Sequence, residues 1–482
     1  MHFDRCIRLH FLPSFHLFHM TNSISKSIFK AYDIRGVVGK TLDAQVAHQL
    51  GQAFGTAVLN KGEVNVVIGR DGRLSGPELS AALAKGLQAS GVNVIDLGVV
   101  ATPLVYFATH VLEAKSGIMV TGSHNPPDYN GFKMVLAGEA IYGDTIQSLY
   151  HAIEAQNFSN GSGKYQQHNI RAAYLKQIIS TIKLERGMKI VVDCGNGVAG
   201  DFAGDLYRDL GCQVEELFCE VDGNFPNHHP DPAHPENLQD LIARVKAGDA
   251  ELGLAFDGDG DRLGVVTKDG QIIYPDRQLM LFAEDVLTRH PGAQILYDVK
   301  CTRHIADWVK ARGGVPLMWK TGHSLVKAKM RETGAPLGGE MSGHVFFKDR
   351  WFGFDDGMYA GARLLELMSR VPDPTAVLNA LPQSSSTPEL QLTLNEGENF
   401  TVIAKMLAPD QIKTHFADAS QIISIDGLRV EYPDGFGLAR SSNTTPVIVM
   451  RFEAETPAAL EKIQAAFKRA IMAVKPDAQL PF

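Results

Sequence analysis

"VNVVIGRDGRLSGPELSAALAKGLQASGVNVIDLG", residues 64–98, runs from a strand-like apolar segment through a polar loop into a helix, a glycine and a second apolar segment. β-Branched residues favour the strands, and glycine is the residue expected just after a helix. The same order recurs in "MKIVVDCGNGVAGDFAGDLYRDLGCQVEELF" (188–218) and "AQILYDVKCTRHIADWVKARGGVPLMW" (293–319). The expected C-capping glycines are Gly91, Gly211 and Gly313-Gly314. This repeat predicts three related α/β domains with mixed sheets.

The C-terminal part of the chain departs from the repeat. "LPQSSSTPE" (381–389) has the composition of a linker, and strand-like segments follow it. In "ETPAALEKIQAAFKRAIMAV" (455–474), Thr456 can cap a helix that begins at Pro457. The apolar residues of one helix face would be Leu460, Ile463, Phe467 and Ile471. We expect a fourth domain of the α+β class.

These patterns predict four domains behind an N-terminal extension. The boundaries are 23–168 for domain I, 169–271 for domain II, 272–383 for domain III and 384–482 for domain IV. We expect the extension (1–22) to be disordered, and Met20 to be the natural first residue, because the apolar patch before it is short and lacks a signal-peptide cleavage site.

Composition excludes several classes of protein. At 482 residues the chain is too long for one hydrophobic core, and its 45% hydrophobic and 21% charged residues are ordinary for a globular protein. A formal net charge of -8 argues against nucleic acid or an anionic membrane as a partner, and no apolar segment is long enough to span a bilayer. Five cysteines without a C-x-x-C pair suit a reducing compartment. We expect a soluble, cytoplasmic protein, monomeric, with small molecules as partners.

"TGSHNPPDYNGFK" (121–133) places Ser123 between a glycine and His124. The Asn-Pro-Pro and Asn-Gly sequences are typical of turns, so a turn residue and a nucleophile are equally good interpretations of Ser123 from this segment alone. His124 does not decide between them, because neighbours on an extended chain point to opposite sides.

"LGLAFDGDGDRLGVV" (252–266) places Asp257, Asp259 and Asp261 at alternate positions between two apolar strands. Three carboxylates so close together repel one another unless a cation compensates them. A calcium EF-hand does not fit, because Arg262 stands where its glycine belongs. Mg²⁺, which uses few carboxylates and completes its shell with phosphate oxygens, fits better.

Two further segments offer sugar and phosphate contacts. "GGEMSGH" (338–344) would, if extended, project Glu340, Ser342 and His344 to one side, where they suit sugar hydroxyls, although a glycine-rich turn explains it equally well. "ARSSNTTP" (439–446) collects a guanidinium, hydroxyls and backbone N–H groups suited to a phosphate dianion, and an ordinary polar turn could look the same.

Together, the motifs "TGSHNP", "DGDGDR", "GEMSGH" and "RSSNTTP" resemble those of the α-D-phosphohexomutases, specifically the bacterial phosphomannomutase/phosphoglucomutase group. They occur in that family's order, and the resemblance runs from about residue 29 into the C-terminal domain. It implies four domains around a central cleft. It also implies an isomerase that moves phosphate between O1 and O6 of a hexose, with Mg²⁺ as cofactor and glucose 1,6-bisphosphate as intermediate and activator.

The resemblance also assigns roles to individual residues. Ser123 would be the phosphoserine, and it would bind Mg²⁺ together with Asp257, Asp259 and Asp261. The residues around the phosphoserine would be Arg35, His124, Lys133 and Arg262, with His344 or Lys133 handling the proton. The sugar and distal-phosphate contacts would be Tyr32, Lys300, His323, Glu340, Ser342, His344, Arg440, Ser442, Asn443 and Thr444.

Three rival functions remain. A phosphoglucosamine mutase would resemble this chain except at the position of Met341. A metal-dependent serine phosphatase would usually draw several histidines and aspartates from scattered loops, whereas the metal signal here is one aspartate trio. A non-catalytic sugar-phosphate binding protein would not need that trio together with a serine loop.

Overall fold

In a computed structural model, residues 24–482 form four β-sheets with flanking helices. The sheets contain seven, five, four and six strands in chain order. The expected disordered extension (1–22), including Met20, lies outside the described residues. Within 24–482, no helix combines the length and apolar character needed to cross a membrane.

The first sheet has the strand order β1-β5-β4-β2-β3-β7, with β6 beside β5. Strand β2 is parallel to both β3 and β4, whereas β5 is antiparallel to β4 and β1. Helix α2 joins β2 to β3 and is followed by Gly91 in the left-handed region at φ +107°. The strands are β1 Ile34–Val37, β2 Asn65–Arg70, β3 Asn93–Val99, β4 Ser116–Val120, β5 Tyr129–Leu136, β6 Glu139–Ala140 and β7 Tyr165–Gln167. The helices are α1 Ala44–Asn60, α2 Gly76–Ser90, α3 Thr102–Val111 and α4 Asp144–Glu154.

The second sheet has the order β12-β11-β10-β8-β9, and its β10–β11 pair is antiparallel while β8 is parallel to β9 and β10. The turn between β10 and β11 contains the three aspartates. The strands are β8 Lys189–Asp193, β9 Gln213–Leu217, β10 Leu252–Phe256, β11 Leu263–Thr267 and β12 Ile272–Ile273. The helices are α5 Arg171–Thr181, α6 Ala203–Asp209 and α7 Gln239–Ala247.

The third sheet has the order β14-β13-β15-β16, and the turn between its antiparallel strands β15 and β16 contains residues 340–344. The strands are β13 Gln294–Asp298, β14 Val315–Trp319, β15 Leu337–Gly339 and β16 Val345–Phe347. The helices are α8 Pro275–Arg289, α9 His304–Ala311, α10 His323–Thr333, α11 Gly357–Met368 and α12 Pro374–Asn379. The expected repeat of mixed α/β units is therefore confirmed.

The fourth sheet is antiparallel throughout, in the order β17-β22-β21-β20-β19 with β18 also on β22. The Thr456 hydroxyl caps α15 by accepting from the Ala459 amide. The Ser/Pro segment is not entirely a linker, because part of it forms β17, which pairs with β22 on the same side as β18. The strands are β17 Ser385–Ser386, β18 Leu390–Thr393, β19 Gln421–Ile423, β20 Leu428–Tyr432, β21 Gly435–Ser441 and β22 Val447–Ala454. The helices are α13 Glu398–Met406, α14 Pro409–His415 and α15 Pro457–Val474.

The hydrophobic cores divide the molecule unequally. One continuous core includes Val67 of the first sheet, Leu254 of the second and Ile295 of the third. The fourth sheet packs on its own core around Phe452 and Phe467. The first three sheets are therefore held together by buried apolar surface that the fourth does not share.

Asp356 links two helices within the shared core, and its loss should destabilise the fold. Its carboxylate caps α11 by accepting a hydrogen bond from the Tyr359 amide. It also accepts a hydrogen bond of 2.9 Å from the buried hydroxyl of Tyr174 on α5. We expect Asp356→Ala to lower the free energy of unfolding by roughly 2–4 kcal/mol, because it removes a cap and leaves a buried hydroxyl unpaired. Asp373, which caps α12 at the surface, provides the matched control. Asp373→Ala should lower the free energy of unfolding by only about 1 kcal/mol, and equal losses in urea unfolding would contradict the prediction.

Candidate active site

Ser123 lies in the loop between β4 and β5 and is almost fully buried. Its φ of +51° is in the left-handed region, so the backbone is not extended there. Its hydroxyl lies 3.1 Å from Nδ1 of His124 and donates to Asp257 Oδ2, on the second sheet, at 3.2 Å. The expectation that Ser123 and His124 point apart is wrong, because it holds only for an extended chain.

The three aspartates occupy a tight turn, in which Gly260 has φ +75°. All three side chains are completely buried, and one oxygen from each lies within 4.8 Å of the others. Lys133, on β5 of the first sheet, places its Nζ 2.7 Å from Asp259 Oδ2 and 2.5 Å from Asp261 Oδ2. The turn of the second sheet is therefore bound directly by a cation from the first.

The charges in this turn are not balanced by Lys133 alone. Burial raises the pKa of Asp257 well above its ordinary value, and the neighbouring Asp261 and Asp259 raise it further. Burial acts in the same direction on Asp261, but Lys133 and His344 more than offset it, and the pKa of Asp261 is well below its usual range. The pKa of Lys133 is raised, because the carboxylates outweigh the effect of burial.

The aspartate turn fits a hard divalent cation. The Oδ1 atom of Asp259 is buried and has no hydrogen-bond partner among residues 24–482. A buried carboxylate oxygen without a partner is unfavourable unless a cation compensates it. An all-oxygen set of carboxylates is what Mg²⁺ prefers, so the residues present suit that ion.

Glu340, Ser342 and His344 meet in the turn between β15 and β16. The segment is closed rather than extended, since the Glu340 amide donates to the His344 carbonyl at 2.9 Å and Gly343 has φ +103°. Nδ1 of His344 lies 2.9 Å from Ser342 Oγ and 3.1 Å from Glu340 Oε2. The three side chains do come together, but the expected extended geometry is wrong: the backbone bond across the turn brings them into contact.

His344 also connects the third sheet to the aspartate turn. Its Nε2 lies 3.3 Å from Asp261 Oδ1 and 3.3 Å from Nε of Arg262. Burial would lower the pKa of His344, but the carboxylates of Asp261 and Glu340 raise it to about 9. His344 therefore ties the turn of the third sheet electrostatically to the aspartate turn of the second.

Three more candidate residues lie between the first and third sheets. Arg35 of β1 donates to Oδ1 of Asn125 in the serine loop at 2.6 Å. The rings of Tyr32 and His323 are 5.6 Å apart, and those of His323 and His344 are 5.7 Å apart. Tyr32, His323 and His344 therefore form one continuous row of rings.

The predicted phosphate loop lies at the end of β21. Arg440 Nε donates to Asp426 Oδ2 at 2.9 Å, and the same oxygen accepts from the Thr321 amide of the third domain at 3.0 Å. Ser442 Oγ lies 3.3 Å from Thr444 Oγ1, and Asn443 is the residue between these two in the chain. Within the described residues, no hydrogen bond joins this loop to the serine loop, so the two form separate parts of the site.

Several residues in contact with the candidates were not found from the sequence. Glu389 Oε1 lies 2.5 Å from Lys300 Nζ, and the Thr102 hydroxyl donates to Asp259 Oδ2 at 2.5 Å. Asp426, described above, is the third. None belongs to a recognisable motif, and each contact joins two separate segments, of which Asp426 and Arg440 are the nearest at 14 residues apart, so only the fold reveals the contact.

Four family models match consecutive parts of the chain. All four describe phosphoglucomutase/phosphomannomutase: α/β/α domain I over 26–160, α/β/α domain II over 172–270, α/β/α domain III over 274–384 and the C-terminal domain over 389–470.

Individual relatives agree with these models. The chain is 58% identical to a phosphoglucomutase of Neisseria gonorrhoeae, over 93% of this chain and 97% of that protein. It is 56% identical to a phosphomannomutase/phosphoglucomutase of Pseudomonas aeruginosa, over 95% and 98%. A crystal structure of a family protein from Burkholderia thailandensis is 65% identical, with a TM-score of 0.90, covering 95% of this chain and 100% of that one.

A more distant structure shares the fold. N-acetylphosphoglucosamine mutase of Aspergillus fumigatus, 14% identical with a TM-score of 0.54 over 85% of this chain and 82% of that one, was solved in complex with GlcNAc-6P and magnesium. The family models, the bacterial relatives and the shared fold agree, and this chain belongs to the phosphoglucomutase/phosphomannomutase family.

Proposed function

We propose that this protein interconverts hexose 1-phosphates and hexose 6-phosphates, acting on mannose and glucose, through a phosphoserine at Ser123 and a 1,6-bisphosphate intermediate. The observation that carries the proposal is the 3.2 Å contact between the Ser123 hydroxyl and Asp257. It joins the one candidate nucleophile to the aspartate turn, although the two lie on different sheets. The relatives named phosphoglucomutase and phosphomannomutase/phosphoglucomutase support both sugars.

The reaction consists of two phosphoryl transfers in opposite directions. In the first, the bond from phosphorus to Ser123 Oγ breaks and a bond to the free hydroxyl of the monophosphate forms, giving the 1,6-bisphosphate. The hydroxyl proton passes to a base, and Ser123 Oγ leaves as an alkoxide that must be stabilised. The bisphosphate then reverses its orientation, its other phosphate returns to Ser123, and no net phosphorylation occurs.

The aspartate turn is the proposed metal site. Asp257, Asp259 and Asp261, with the phosphate on Ser123, would hold Mg²⁺ there. Bound Mg²⁺ supplies positive charge that polarises the transferring phosphoryl group and stabilises the leaving serine oxygen. The Asn125 side chain that Arg35 binds is part of the serine loop, so this guanidinium also lies near the reacting group.

The side chains around Ser123 have two proposed roles. Arg35, His124, Lys133 and Arg262 line the phosphoserine position, where positioning and charge stabilisation account for most of phosphoryl-transfer catalysis. His344 or Lys133 handles the proton of the attacking hydroxyl, because Mg²⁺ in the turn would compensate the carboxylates that raise the pKa of both side chains. Both lie against the aspartate turn, at 3.3 and 2.5 Å from Asp261.

The opposite side of the site is proposed to bind the part of the substrate that does not react. Glu340 and Ser342 contact sugar hydroxyls, and a fixed phosphate site accepts either end of the bisphosphate after it turns. A site that makes little contact with O2 accepts glucose and mannose alike, since these differ only at C2. The residues of the distal phosphate and sugar contacts are Tyr32, Lys300, His323, Arg440, Ser442, Asn443 and Thr444.

Phosphoserine is the first test of this function. We expect the purified protein to carry one phosphate on Ser123, and Ser123→Ala to lose most mutase activity, because water or a neighbouring group is a poorer phosphoryl acceptor. Intact mass and a coupled assay with mannose 1-phosphate, glucose 1-phosphate and glucosamine 1-phosphate measure both. Full activity in the unphosphorylated variant would refute the assignment, and preference for glucosamine 1-phosphate would favour the phosphoglucosamine mutase.

Metal dependence is the second test. We expect Asp259→Asn to weaken Mg²⁺ binding and turnover while the fold survives, because the change removes charge with little change of volume. Asp193→Asn is the matched control, since Asp193 is equally buried but bonds His228 outside the turn. Calorimetric Mg²⁺ titration and the coupled assay compare the two variants. Unchanged wild-type activity in excess chelator would rule out the metal site.

The proposed phosphate loop around Arg440 provides the third test. We expect Arg440→Ala to weaken substrate binding by about 1.5–3 kcal/mol, because it removes a charge-assisted phosphate contact. It should also release free glucose 1,6-bisphosphate, which wild type retains while the intermediate turns, and make activity depend on adding it back. Arg440→Lys, which keeps the charge but not the fork, should be intermediate. Wild-type kinetics in Arg440→Ala, without release of bisphosphate, would show that this loop does not hold the phosphate that is not reacting.

A further inference from the structure

The guanidinium of Arg73, in the loop after β2, is buried beneath the serine loop. Only 1% of its surface is exposed. One terminal nitrogen donates to the carbonyls of Pro126 at 2.5 Å and Tyr129 at 2.9 Å. The other donates to the carbonyls of Ser123 at 2.7 Å and Asn125 at 2.5 Å. A single side chain thus binds four backbone carbonyls of the loop that contains the proposed nucleophile.

A second set of contacts fixes the residues just before Ser123. Asp71 Oδ2 lies 3.3 Å from Arg73 Nε and accepts the Thr121 hydroxyl at 2.7 Å. The Thr121 oxygen in turn accepts from the Ser123 amide at 2.7 Å. At Gly122, a Cβ would lie 2.5 Å from Cζ of Arg73, so the loop can rest on the guanidinium only because this residue is glycine.

The outer side of Arg73 is covered by the second domain. The ring of Phe225 lies 5.2 Å from the Arg73 guanidinium carbon, in a cation–π contact. Two residues before Phe225, Gly223 approaches the backbone at Gly72 so closely that a Cβ on Gly223 would lie 2.6 Å from the Gly72 carbonyl oxygen. This cover limits the access of water, which strengthens the hydrogen bonds of the guanidinium.

We infer that Arg73 is a positioning residue for phosphoryl transfer, which holds Ser123 in its left-handed conformation facing the aspartate turn. The inference rests on the proposed role of Ser123 as phosphoryl carrier. The φ of +51° is unfavourable for serine and persists only where surrounding contacts impose it. Arginine is required because its planar, forked guanidinium reaches several acceptors at once, whereas a lysine ammonium is a compact charge on a flexible stem.

The test is Arg73→Lys, which retains the charge and loses the fork. We expect kcat to fall about 10- to 100-fold with KM nearly unchanged, because a serine displaced by about 1 Å is poorly aligned for transfer while the sugar contacts remain. Amide hydrogen exchange within residues 121–130 should become faster. A wild-type kcat in the folded variant would overturn the inference.

Arg363→Lys is the matched control. Arg363 lies on α11, away from the serine loop, is also 1% exposed, and binds the carboxylates of Asp285 and Asp349 and the Asp349 carbonyl. We expect it to lower the melting temperature without lowering kcat. If both variants lower kcat in proportion to their loss of stability, Arg73 has only a structural role and the inference fails.

Two further measurements keep the result unambiguous. If Arg73→Lys does not fold, Phe225→Ala provides the test, because it removes the half-buried ring that covers the guanidinium. We expect Phe225→Ala to lower kcat to a smaller extent at unchanged KM. A wild-type kcat in this variant would then overturn the inference. Intact mass of the wild-type protein separates the two levels of the proposal. Absence of phosphate on Ser123 in an active wild type refutes the proposed function, whereas its presence with a wild-type kcat in Arg73→Lys refutes only the role of Arg73.

Discussion

The burial of three aspartates in one turn is the constraint on which the arrangement of the site depends. A buried carboxylate without compensation costs several kcal/mol, so the turn at 257–261 is stable only where positive groups reach it. Lys133 reaches it from the first sheet and His344 from the third. Because Lys133 lies on the strand that follows the serine loop, the same electrostatic requirement brings Ser123 to Asp257.

The fourth domain is attached differently from the other three. Its contacts with the third domain are largely polar: Arg429 donates to the carbonyls of Val299 and Cys301 at 2.6 and 2.8 Å, and Arg451 pairs with Asp276 at 3.2 Å. The apolar contribution is a small cluster that includes Val299, Phe436 and Leu438. Polar interfaces of this kind resist relative movement less than a shared hydrophobic core does. The phosphate loop with Arg440 therefore sits on a domain that does not share the large hydrophobic core of the other three.

The sequence predicted much of the fold because its repeat is local. The capping glycine at Gly91, the Thr456 cap and the alternation of strands with helices depend on a few neighbouring residues. The linker interpretation of 381–389 was incomplete, because the composition of a segment does not reveal that it pairs with a strand of the sheet, here β22. The geometry of Ser123–His124 and of 340–344 was wrong for a related reason: period-two arguments assume an extended chain, and both segments are tight turns.

By itself, the sequence determined the class of fold, the family and the chemistry of the motifs, because these follow from residue types at short spacing. Only the tertiary structure decided which groups meet. The Lys133 ammonium binds the aspartate turn, Asp426 holds Arg440, Glu389 pairs with Lys300, and Arg73 binds the carbonyls around Ser123. Each of these contacts joins residues distant in the chain, and its geometry is imposed by the packing of whole sheets and by the need to compensate buried charge. Neither the packing of the sheets nor the location of the buried charges can be read from the sequence around one residue of a contact.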